Sequence, residues 1–523
     1  MKIRNLLIYI LIIVFSLSVP EWNSGEAHSA RRTTKVKSKK APAKKKSSLA
    51  RASKKSKKKS KSKRSKFGRR KKGRRSRRGP RIVRIATENK TVLSDSLLHR
   101  GVRYQRIMIG DSSRHHIVHV VAMDMNNSGC AIEAIKAGGK CSELEKLQCI
   151  TRHYDSVSEE GRTLAAVNAN FWTAYSNTPI GPAISNGEII EFSSHKSWSS
   201  CFFNEEGDPY FDRFKLSGSF RRGRRGKIYD IEQVNRRSDS LGICLYNRFG
   251  GDTIPYVTAS KLKRQIEKAW SEKAGEEFMD DSTETALDSA QIAEQITQDA
   301  ISESKEFSHR KLLLQYADEP AINRSYPCVI IGFADSAAAP MPKEGCVLSF
   351  GKDFPRDENF RIGDTLFFNF ETNVNPDVVF YDAVSGTPRL VREGVASHEA
   401  QREGSTATRF VSHSLPRTAI GVDAYNEKFY LVAVEGTKSS EGQYGASLSQ
   451  MAQIMAAVGC YDAMNLDGGG SSMMSLNYKN LFNPARPDSG RRISVGIAIV
   501  APKNGDQSFG YPIGEKPPAL GQR

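Results

Sequence analysis

The segment of the chain best suited to chemistry is Asn465-Leu466-Asp467-Gly468-Gly469-Gly470-Ser471-Ser472. Its one carboxylate precedes three glycines, which allow backbone conformations barred to other residues and let a ligand approach closely. Successive backbone N–H groups in such a turn can bind an anion, and the serine hydroxyls add donors. We therefore expect a catalytic Asp467 and a substrate-binding turn formed by Gly468, Gly469, Gly470, Ser471 and Ser472. A plain Asp-Gly turn is the alternative.

Two stretches supply cationic side chains that could hold a phosphate. Arg417 and Thr418 follow Pro416, and Arg492 precedes the last apolar run of the chain. A guanidinium is planar and matches the geometry of phosphate oxygens. We expect Arg417, Thr418 and Arg492 to bind substrate. Alone, each arginine would more often be a surface ion-pair partner.

A group of amides and aromatic rings could hold a sugar. Asn168 and Asn170 are followed by Phe171 and Trp172 at the end of a short apolar run. Amides bond to sugar hydroxyls and a ring stacks on a pyranose face, so we expect Asn168 and Asn170 to bind substrate. The alternative is a turn with aromatic residues of the core.

A second carboxylate, Glu435, ends the apolar run 429–434 as Asp467 ends the run 463–466. Two acids at the ends of strands that flank one helix could lie at the same edge of a sheet. Glycoside cleavage generally uses such a pair. We therefore expect Glu435 to be catalytic together with Asp467, with acid and nucleophile or base roles left open.

The elements that must position these residues are mostly strands. Val118, Val120 and Ala122 lie within a largely apolar run, which is typical of a strand buried on both faces. Asn186-Gly187 predicts a hairpin with a type I′ turn over 184–190. Strands are also predicted at 102–108, 117–125, 165–167, 327–333, 365–370, 429–434, 463–466 and 493–500.

One helix is predicted at 448–458, with Ser447 and Gln450 as a capping box and Gly459 after its end. Together these elements predict an α+β fold, in which a β-rich mixed sheet core with packed helices forms a single catalytic domain carrying a helical insertion.

The composition divides the chain into segments. Residues 31–80 hold 27 of the 79 Lys and Arg and no Asp or Glu, which leaves 52 basic against 57 acidic residues elsewhere. The predicted segments are a signal peptide or N-terminal anchor (1–30), a disordered basic arm (31–80), the catalytic domain (82–502) with an acidic helical insertion (261–307), and a tail (503–523).

The apolar run 6–19 after Lys2 and Arg4 has the length of a signal-peptide core and is too short for an ordinary spanning helix. It predicts export to the periplasm or the exterior, with or without an N-terminal membrane anchor. Behind such a leader, we expect the basic arm to bind an anionic envelope surface and expect no specific nucleic-acid partner. The even count of eight cysteines permits disulfides, with open connectivity, and buried free thiols are the alternative.

Several motifs together resemble the phosphodiester glycosidase domain, the family of the lysosomal uncovering enzyme. The helix 448–458 followed by the 465–472 segment is similar to the signature of that family. The other matching stretches occur in order, and any one of them alone is weak. They are Gly101-Val102-Arg103-Tyr104, Val167 to Trp172 with Pro179-Ile180-Gly181, Ser385 to Val391, Pro416 to Gly421, and Arg491-Arg492-Ile493.

The chain departs from the family at three places. Ala169-Asn170 stands where the family often has Gly-Gly, Ser385-Gly386 replaces another Gly-Gly, and Glu435-Gly436-Thr437 replaces Asp-Gly-Arg. At the last site the carboxylate is kept with one more methylene, and a cation is lost. These changes concern the substrate more than the fold.

The resemblance implies an exported hydrolase that cleaves a glycosyl-1-phosphodiester or a related α-glycosidic linkage in envelope glycans, without a cofactor. A second hypothesis is a metal-dependent phosphodiesterase, in which Asp467, Asn465 and Glu435 bind a divalent cation through oxygen. A third is a non-catalytic protein that binds envelope glycan.

Overall fold

The structure is a computed structural model that describes residues 87–159, 161–255, 306, 310–355 and 358–503. Contacts divide the chain into two units, Met1–Arg81 and Ile82–Arg523, and every described residue belongs to the second. The predicted leader and basic arm lie outside the described residues. So do the tail after Lys503 and the acidic insertion apart from Glu306.

The described residues form 28 strands and three α-helices. The strands are β1 (Lys90–His99), β2 (Val102–Gly110), β3 (His115–Asp124), β4 (Ala131–Lys136), β5 (Gly161–Asn168), β6 (Ala183–Ser185), β7 (Glu188–Glu191), β8 (Ser199–Asn204), β9 (Pro209–Asp212), β10 (Leu216–Arg222), β11 (Ile228–Ile231), β12 (Gln233–Val234), β13 (Cys244–Tyr246), β14 (Thr253–Ile254), β15 (Lys311–Tyr316), β16 (Tyr326–Ala334), β17 (Ala339–Pro340), β18 (Gly345–Ser349), β19 (Thr365–Thr372), β20 (Phe380–Gly386), β21 (Arg389–Arg392), β22 (Val395–Ala396), β23 (Arg417–Val422), β24 (Lys428–Val434), β25 (Asp462–Asn465), β26 (Met474–Leu476), β27 (Lys479–Asn480) and β28 (Val495–Pro502). The helices are α1 (Leu147–Val157), α2 (Thr408–Ser412) and α3 (Leu448–Val458).

Four sheets carry almost all of these strands. Sheet I has the order β1-β2-β3-β24-β23-β25-β21-β22, and sheet II has the order β11-β10-β19-β16-β15-β18-β13-β12. Sheet III is β7-β6-β20-β8-β9, sheet IV is β27-β26-β5-β28-β4, and β14 pairs with β17. All the pairings are antiparallel except that of β12 with β13.

The α+β fold expected from the sequence is wrong, because the described part of the chain is predominantly β. Side chains from sheets I, III and IV share one core, which includes Val121, Phe203, Val384, Leu431 and Ile497. A second core joins sheets II and III. Sheets therefore cover sheets, and helices cover only one outer face each: α3 packs on sheet I and α1 on sheet IV.

The predictions of individual strands, of the hairpin and of helix α3 are confirmed. Each predicted strand corresponds to an observed strand within a few residues. Asn186 and Gly187 have φ of 49° and 75°, as the type I′ hairpin requires. Helix α3 has the predicted bounds, its capping box between Ser447 and Gln450 is formed, and Gly459 adopts φ 110°. These features were predictable because residues close in sequence determine them.

All eight cysteines are free thiols in the structure. Among the helices of the described residues, none is long and apolar enough to span a bilayer.

Candidate active site

Asp467 lies where sheets I and IV meet. It follows β25, whose Asn465 pairs with Ala419 of β23. Its backbone N–H donates to the carbonyl oxygen of Ala169 at 2.9 Å, just after β5. Asn168 Nδ2 donates to the carbonyl oxygen of Asp467 at 2.7 Å. Two sheets therefore hold the backbone of this carboxylate in place.

Most backbone N–H groups of the glycine-rich turn after Asp467 already donate hydrogen bonds within the protein. The N–H of Gly468 donates to Asp467 Oδ1 at 2.8 Å, and that of Gly469 to the Pro416 carbonyl oxygen at 2.9 Å. Ser471 and Ser472 donate back to Gly468 and Gly469. Gly469 has φ 63°, a left-handed conformation that glycine adopts readily. The turn therefore offers hydroxyl groups to a ligand more than a row of backbone donors.

The carboxyl group of Asp467 has a perturbed acidity. Burial raises its pKa to about 6, although the Ser471 side chain, the Gly468 N–H and the positive charge of Arg491 all favour the ionised form. A carboxyl group with a pKa near the working pH can both take and return a proton. This property fits the predicted catalytic role.

Arg417 is a fully buried cation beside the turn. Its Nε donates to the Ala446 carbonyl oxygen at 2.8 Å, and its Nη2 to those of Phe410 and His413 at 2.6 and 3.3 Å. Its Nη1 has no hydrogen-bond partner, and no carboxylate of the described residues pairs with it. Burial lowers the pKa of the guanidinium to about 10, so it stays charged at neutral pH.

Other buried polar atoms without partners lie in the same region. They include Asn465 Oδ1, the Ser472 hydroxyl and His398 Nδ1. Burial lowers the pKa of His398, and the nearby positive charge of Arg417 lowers it further. Such atoms are rare in native proteins and each calls for an explanation. His398 lies beside Arg417, and Asn465 is on the strand next to that of Arg417, so a polar ligand here would supply partners for these atoms.

Aromatic rings border this region on two sides. The Arg491 guanidinium lies over the Trp172 ring at 5.0 Å, and a Cβ on Gly470 would lie 3.9 Å from Arg491 Cδ. On the other side, the Arg417 guanidinium lies 5.3 Å from the Phe410 ring, which meets Phe171 edge-on at 6.0 Å. Phe171 in turn contacts Trp198.

The structure thus places Arg491, and not the predicted Arg492, beside the turn. Arg492 is exposed, and among the described residues no hydrogen bond or ion pair involves its side chain. The sequence reasoning also missed His398, Trp198 and Phe410. The pair Arg491-Arg492 did indicate a cation near the site, but residue type alone does not show which of two adjacent arginines faces it.

The predicted residues Asn168, Asn170 and Thr418 are buried and bonded within the protein. Asn168 Oδ1 accepts from the Thr418 hydroxyl at 2.7 Å and from the Met473 N–H at 3.0 Å. Asn170 donates to the Ile180 carbonyl oxygen at 3.3 Å and accepts from the Ser385 N–H at 3.1 Å. These amides hold strands together at the site, and sugar binding by them stays a prediction.

Glu435 lies at the same edge of sheet I as Asp467, because β24 and β25 run parallel on either side of β23. Arg417 pairs with Val434, so Glu435, one residue further, projects from the opposite face. There its Oε1 accepts from His119 Nε2 at 3.1 Å and from Arg106 at 3.2 Å. Its Oε2 accepts from Lys438 and Gln443.

The contacts of Glu435 keep it ionised. Burial alone would raise its pKa, but the hydrogen bond from His119 and the charges of Arg106 and Lys438 outweigh burial and lower the pKa to about 2. His119 Nδ1 lies 2.9 Å from the Tyr104 hydroxyl. A neutral His119 with its proton on Nε2 satisfies both partners, and burial lowers the pKa of His119 accordingly.

Among the described residues, no three His, Cys, Asp or Glu side chains are arranged to hold a metal ion.

Comparison with known proteins agrees with the motifs. The family described as phosphodiester glycosidase matches residues 331–500, which include Arg417, Glu435 and Asp467. The Bos taurus enzyme N-acetylglucosamine-1-phosphodiester alpha-N-acetylglucosaminidase is 31% identical over 121 residues, 22% of this chain and 22% of that enzyme. The match thus spans about a fifth of the length of this curated relative.

Two solved structures share the fold. A hypothetical protein from Synechocystis has a TM-score of 0.50 and 20% identity, covering 77% of this chain and 62% of that one. A Burkholderia pseudomallei protein has a TM-score of 0.50 and 15% identity, covering 78% and 96%. At these identities the likeness concerns the fold alone. Residues 331–500 of this chain therefore match the phosphodiester glycosidase family, as its sequence motifs indicated.

Proposed function

We propose that this chain hydrolyses a glycosyl-1-phosphodiester or a related α-glycosidic linkage in an envelope glycan or glycoconjugate. The observation that carries the proposal is the buried Arg417, whose Nη1 is unpaired and which has no acidic partner among the described residues. A buried charge is costly unless it is paired. A substrate phosphate beside the Asp467 turn would supply the missing negative charge.

In the proposed reaction, water attacks the anomeric carbon and the bond between that carbon and the phosphate oxygen breaks. Asp467, with a pKa of about 6, is largely ionised at neutral pH and takes the proton from the attacking water. The phosphate leaves with the electron pair of the broken bond. Arg417 and Arg491 stabilise its charge, and the Phe171 and Trp172 rings hold the sugar.

Glu435 is proposed as the second carboxylate of the reaction. Its pKa of about 2 means that it would act only as an anion, either as base or as nucleophile, and not as the acid. Its side chain projects from the opposite face of sheet I from Arg417, so the activity of Glu435→Gln tests this role.

Hydrolysis of a glycosyl phosphodiester in ¹⁸O-labelled water tests the bond that breaks. We expect the label in the released sugar, in wild type only and not in Asp467→Ala. Label in the phosphate would overturn the glycosidase proposal. If the label appeared in the phosphate and a chelator abolished hydrolysis, the results would support a metal-dependent phosphodiesterase instead.

We also propose that the protein acts outside the cytoplasm and that residues 31–80 attach it to an anionic envelope surface. The support is the apolar run 6–19 and the 27 basic residues of the arm, all outside the described residues. Cell fractionation of the full chain tests this. Retention of the full-length protein in the cytoplasm would contradict it.

A further inference from the structure

A basic hairpin lies at one end of sheet II. β10 and β11 pair from Gly218 to Ile231, and Arg221-Arg222-Gly223-Arg224-Arg225-Gly226-Lys227 forms the end of the hairpin. Arg224, Arg225 and Lys227 are exposed. Arg222 is neutralised by Asp364 at 2.8 Å, whereas no ion pair among the described residues involves Arg224 or Arg225.

Three exposed isoleucines lie at the same end of sheet II as this hairpin, one of them within it. Ile228, Ile362 and Ile331 are 60%, 67% and 45% exposed. They lie at the same end of the sheet, because Gly223 N–H donates to the Thr365 carbonyl oxygen at 2.8 Å and Gly363 N–H to that of Ile330 at 2.8 Å. We call this surface the basic end of sheet II. It comprises Arg221, Arg224, Arg225, Lys227, Ile228, Ile331, Arg361 and Ile362.

The acidic residues near this surface do not cancel its charge. Asp364 is paired with Arg222, whereas Glu358, which accepts a hydrogen bond from the Tyr229 hydroxyl, keeps its negative charge. Asp230 is exposed on β11, the edge strand of the sheet. Asp353 is also exposed, next to Phe354, whose ring packs on Tyr229. Five basic side chains therefore border three exposed aliphatic ones and outnumber the three nearby acids, Asp230, Asp353 and Glu358, that have no ion pair among the described residues.

We propose that the basic end of sheet II docks on an anionic phospholipid surface. Arginine and lysine are attracted to anionic headgroups, and aliphatic side chains gain free energy when they leave water for the interfacial region of a bilayer. A polyanion such as nucleic acid or polyphosphate would use the charges but leave the three isoleucines in water. The combination therefore favours a membrane over a soluble polyanion, and it is independent of the proposed glycosidase activity.

Hydrogen exchange of the full chain, with and without vesicles, tests the proposal. Because residues 31–80 are themselves basic, the total binding of the chain to vesicles does not show which segment binds. Hydrogen exchange measured segment by segment does. We expect slower exchange in 221–231 and 359–365 with vesicles of phosphatidylcholine and phosphatidylglycerol, and no change with phosphatidylcholine alone. Unchanged exchange in both segments would overturn the proposal. Equal protection by soluble polyphosphate would overturn it in favour of a polyanion partner.

Variants separate the two kinds of contact. Arg224→Glu with Arg225→Glu should weaken binding to anionic vesicles by about tenfold or more, since each basic side chain near such a surface contributes about fivefold. Lys479→Glu with Arg486→Glu, both exposed on and after β27, makes the same charge change as a control and should have a smaller effect. Ile228→Ser should weaken binding that persists in high salt. An equal loss in the control, with no effect of Ile228→Ser, would refute a specific docking surface.

Discussion

Asn168 Nδ2 donates a 2.7 Å hydrogen bond to the carbonyl oxygen of Asp467, linking the last residue of β5 to the second residue after β25. The same amide accepts from the Thr418 hydroxyl and the Met473 N–H. One buried side chain thus joins β5, β23 and both ends of the turn that carries the proposed catalytic carboxylate.

Asn168→Ala should therefore lower the free energy of unfolding by about 2–4 kcal/mol, because three buried polar groups lose their partner. Denaturant unfolding measures this loss. Ser156→Ala, an exposed helix position, is the control and should change stability by less than about 0.5 kcal/mol. Similar stability of Asn168→Ala and wild type would contradict the central position of this amide.

Asp467→Asn should abolish hydrolysis while stabilising the fold at neutral pH. The pKa of Asp467 is raised from 3.8 to about 6, so its ionised form opposes folding above pH 6 by up to about 3 kcal/mol. The contribution of the protonated carboxyl is present below pH 3.8 and lost as pH rises through 6. Melting temperatures should favour the variant at pH 8, with the difference closing towards pH 4. A less stable variant at pH 8 would count against the assigned acidity.

The rate of hydrolysis by wild type should fall as pH drops below about 6, since the proposed reaction needs ionised Asp467. The pH dependence of kcat/KM on a glycosyl phosphodiester measures this. A rate that rises as pH falls through 6 would assign the residue as an acid.

Inorganic phosphate should raise the melting temperature of wild type, because a ligand that binds only the folded state stabilises it. Arg417→Lys should lose this effect, since a lysine cannot reproduce the fixed guanidinium geometry. Arg491→Ala, at an exposed position, should weaken it without disturbing the fold. Arg492→Ala is the matched control and should respond like wild type. If Arg492→Ala lost the phosphate-induced rise in melting temperature and Arg491→Ala kept it, the phosphate would bind elsewhere.

Glu435→Gln should lose stability relative to wild type above pH 4.5 and approach it near pH 2. The folded-state pKa of Glu435 is lowered from 4.5 to about 2, so its contribution, up to about 3 kcal/mol, is present above pH 4.5 and disappears as pH falls through 2. Acid unfolding followed by circular dichroism measures it. Activity separates the roles: a catalytic anion predicts loss of kcat in Glu435→Gln, whereas a structural one predicts little change.

Trp172→Ala should raise KM for a glycosyl phosphodiester by about tenfold, as expected for a lost stacking contact of about 1.4 kcal/mol. Tyr175→Ala, which removes a side chain that is 99% exposed in the same loop, is the control. Equal KM values in wild type and Trp172→Ala would remove this ring from the sugar site.

Much of the local structure followed from sequence. The helix α3 could be bounded to the residue because its capping box and its terminal glycine act within one turn of the chain. The hairpin at Asn186-Gly187 was equally local. The position of Glu435 and Asp467 at one sheet edge was also predictable, since each acid ends an apolar run. The fold class was not predictable, because the pattern of a strand does not show whether a second sheet or a helix packs on the apolar face of its sheet.

The sequence by itself determined where the chemistry should lie: an acid before a glycine turn, followed by two hydroxyls and preceded by a capped helix. Only the tertiary structure decided which side chains meet there. It brought Arg491 and not Arg492 to the turn, directed Glu435 away from Arg417, and used the Asn168 and Asn170 amides to join strands. The physical reason is that side chains alternate between the faces of a strand, and the pairing of distant strands fixes which face meets which partner.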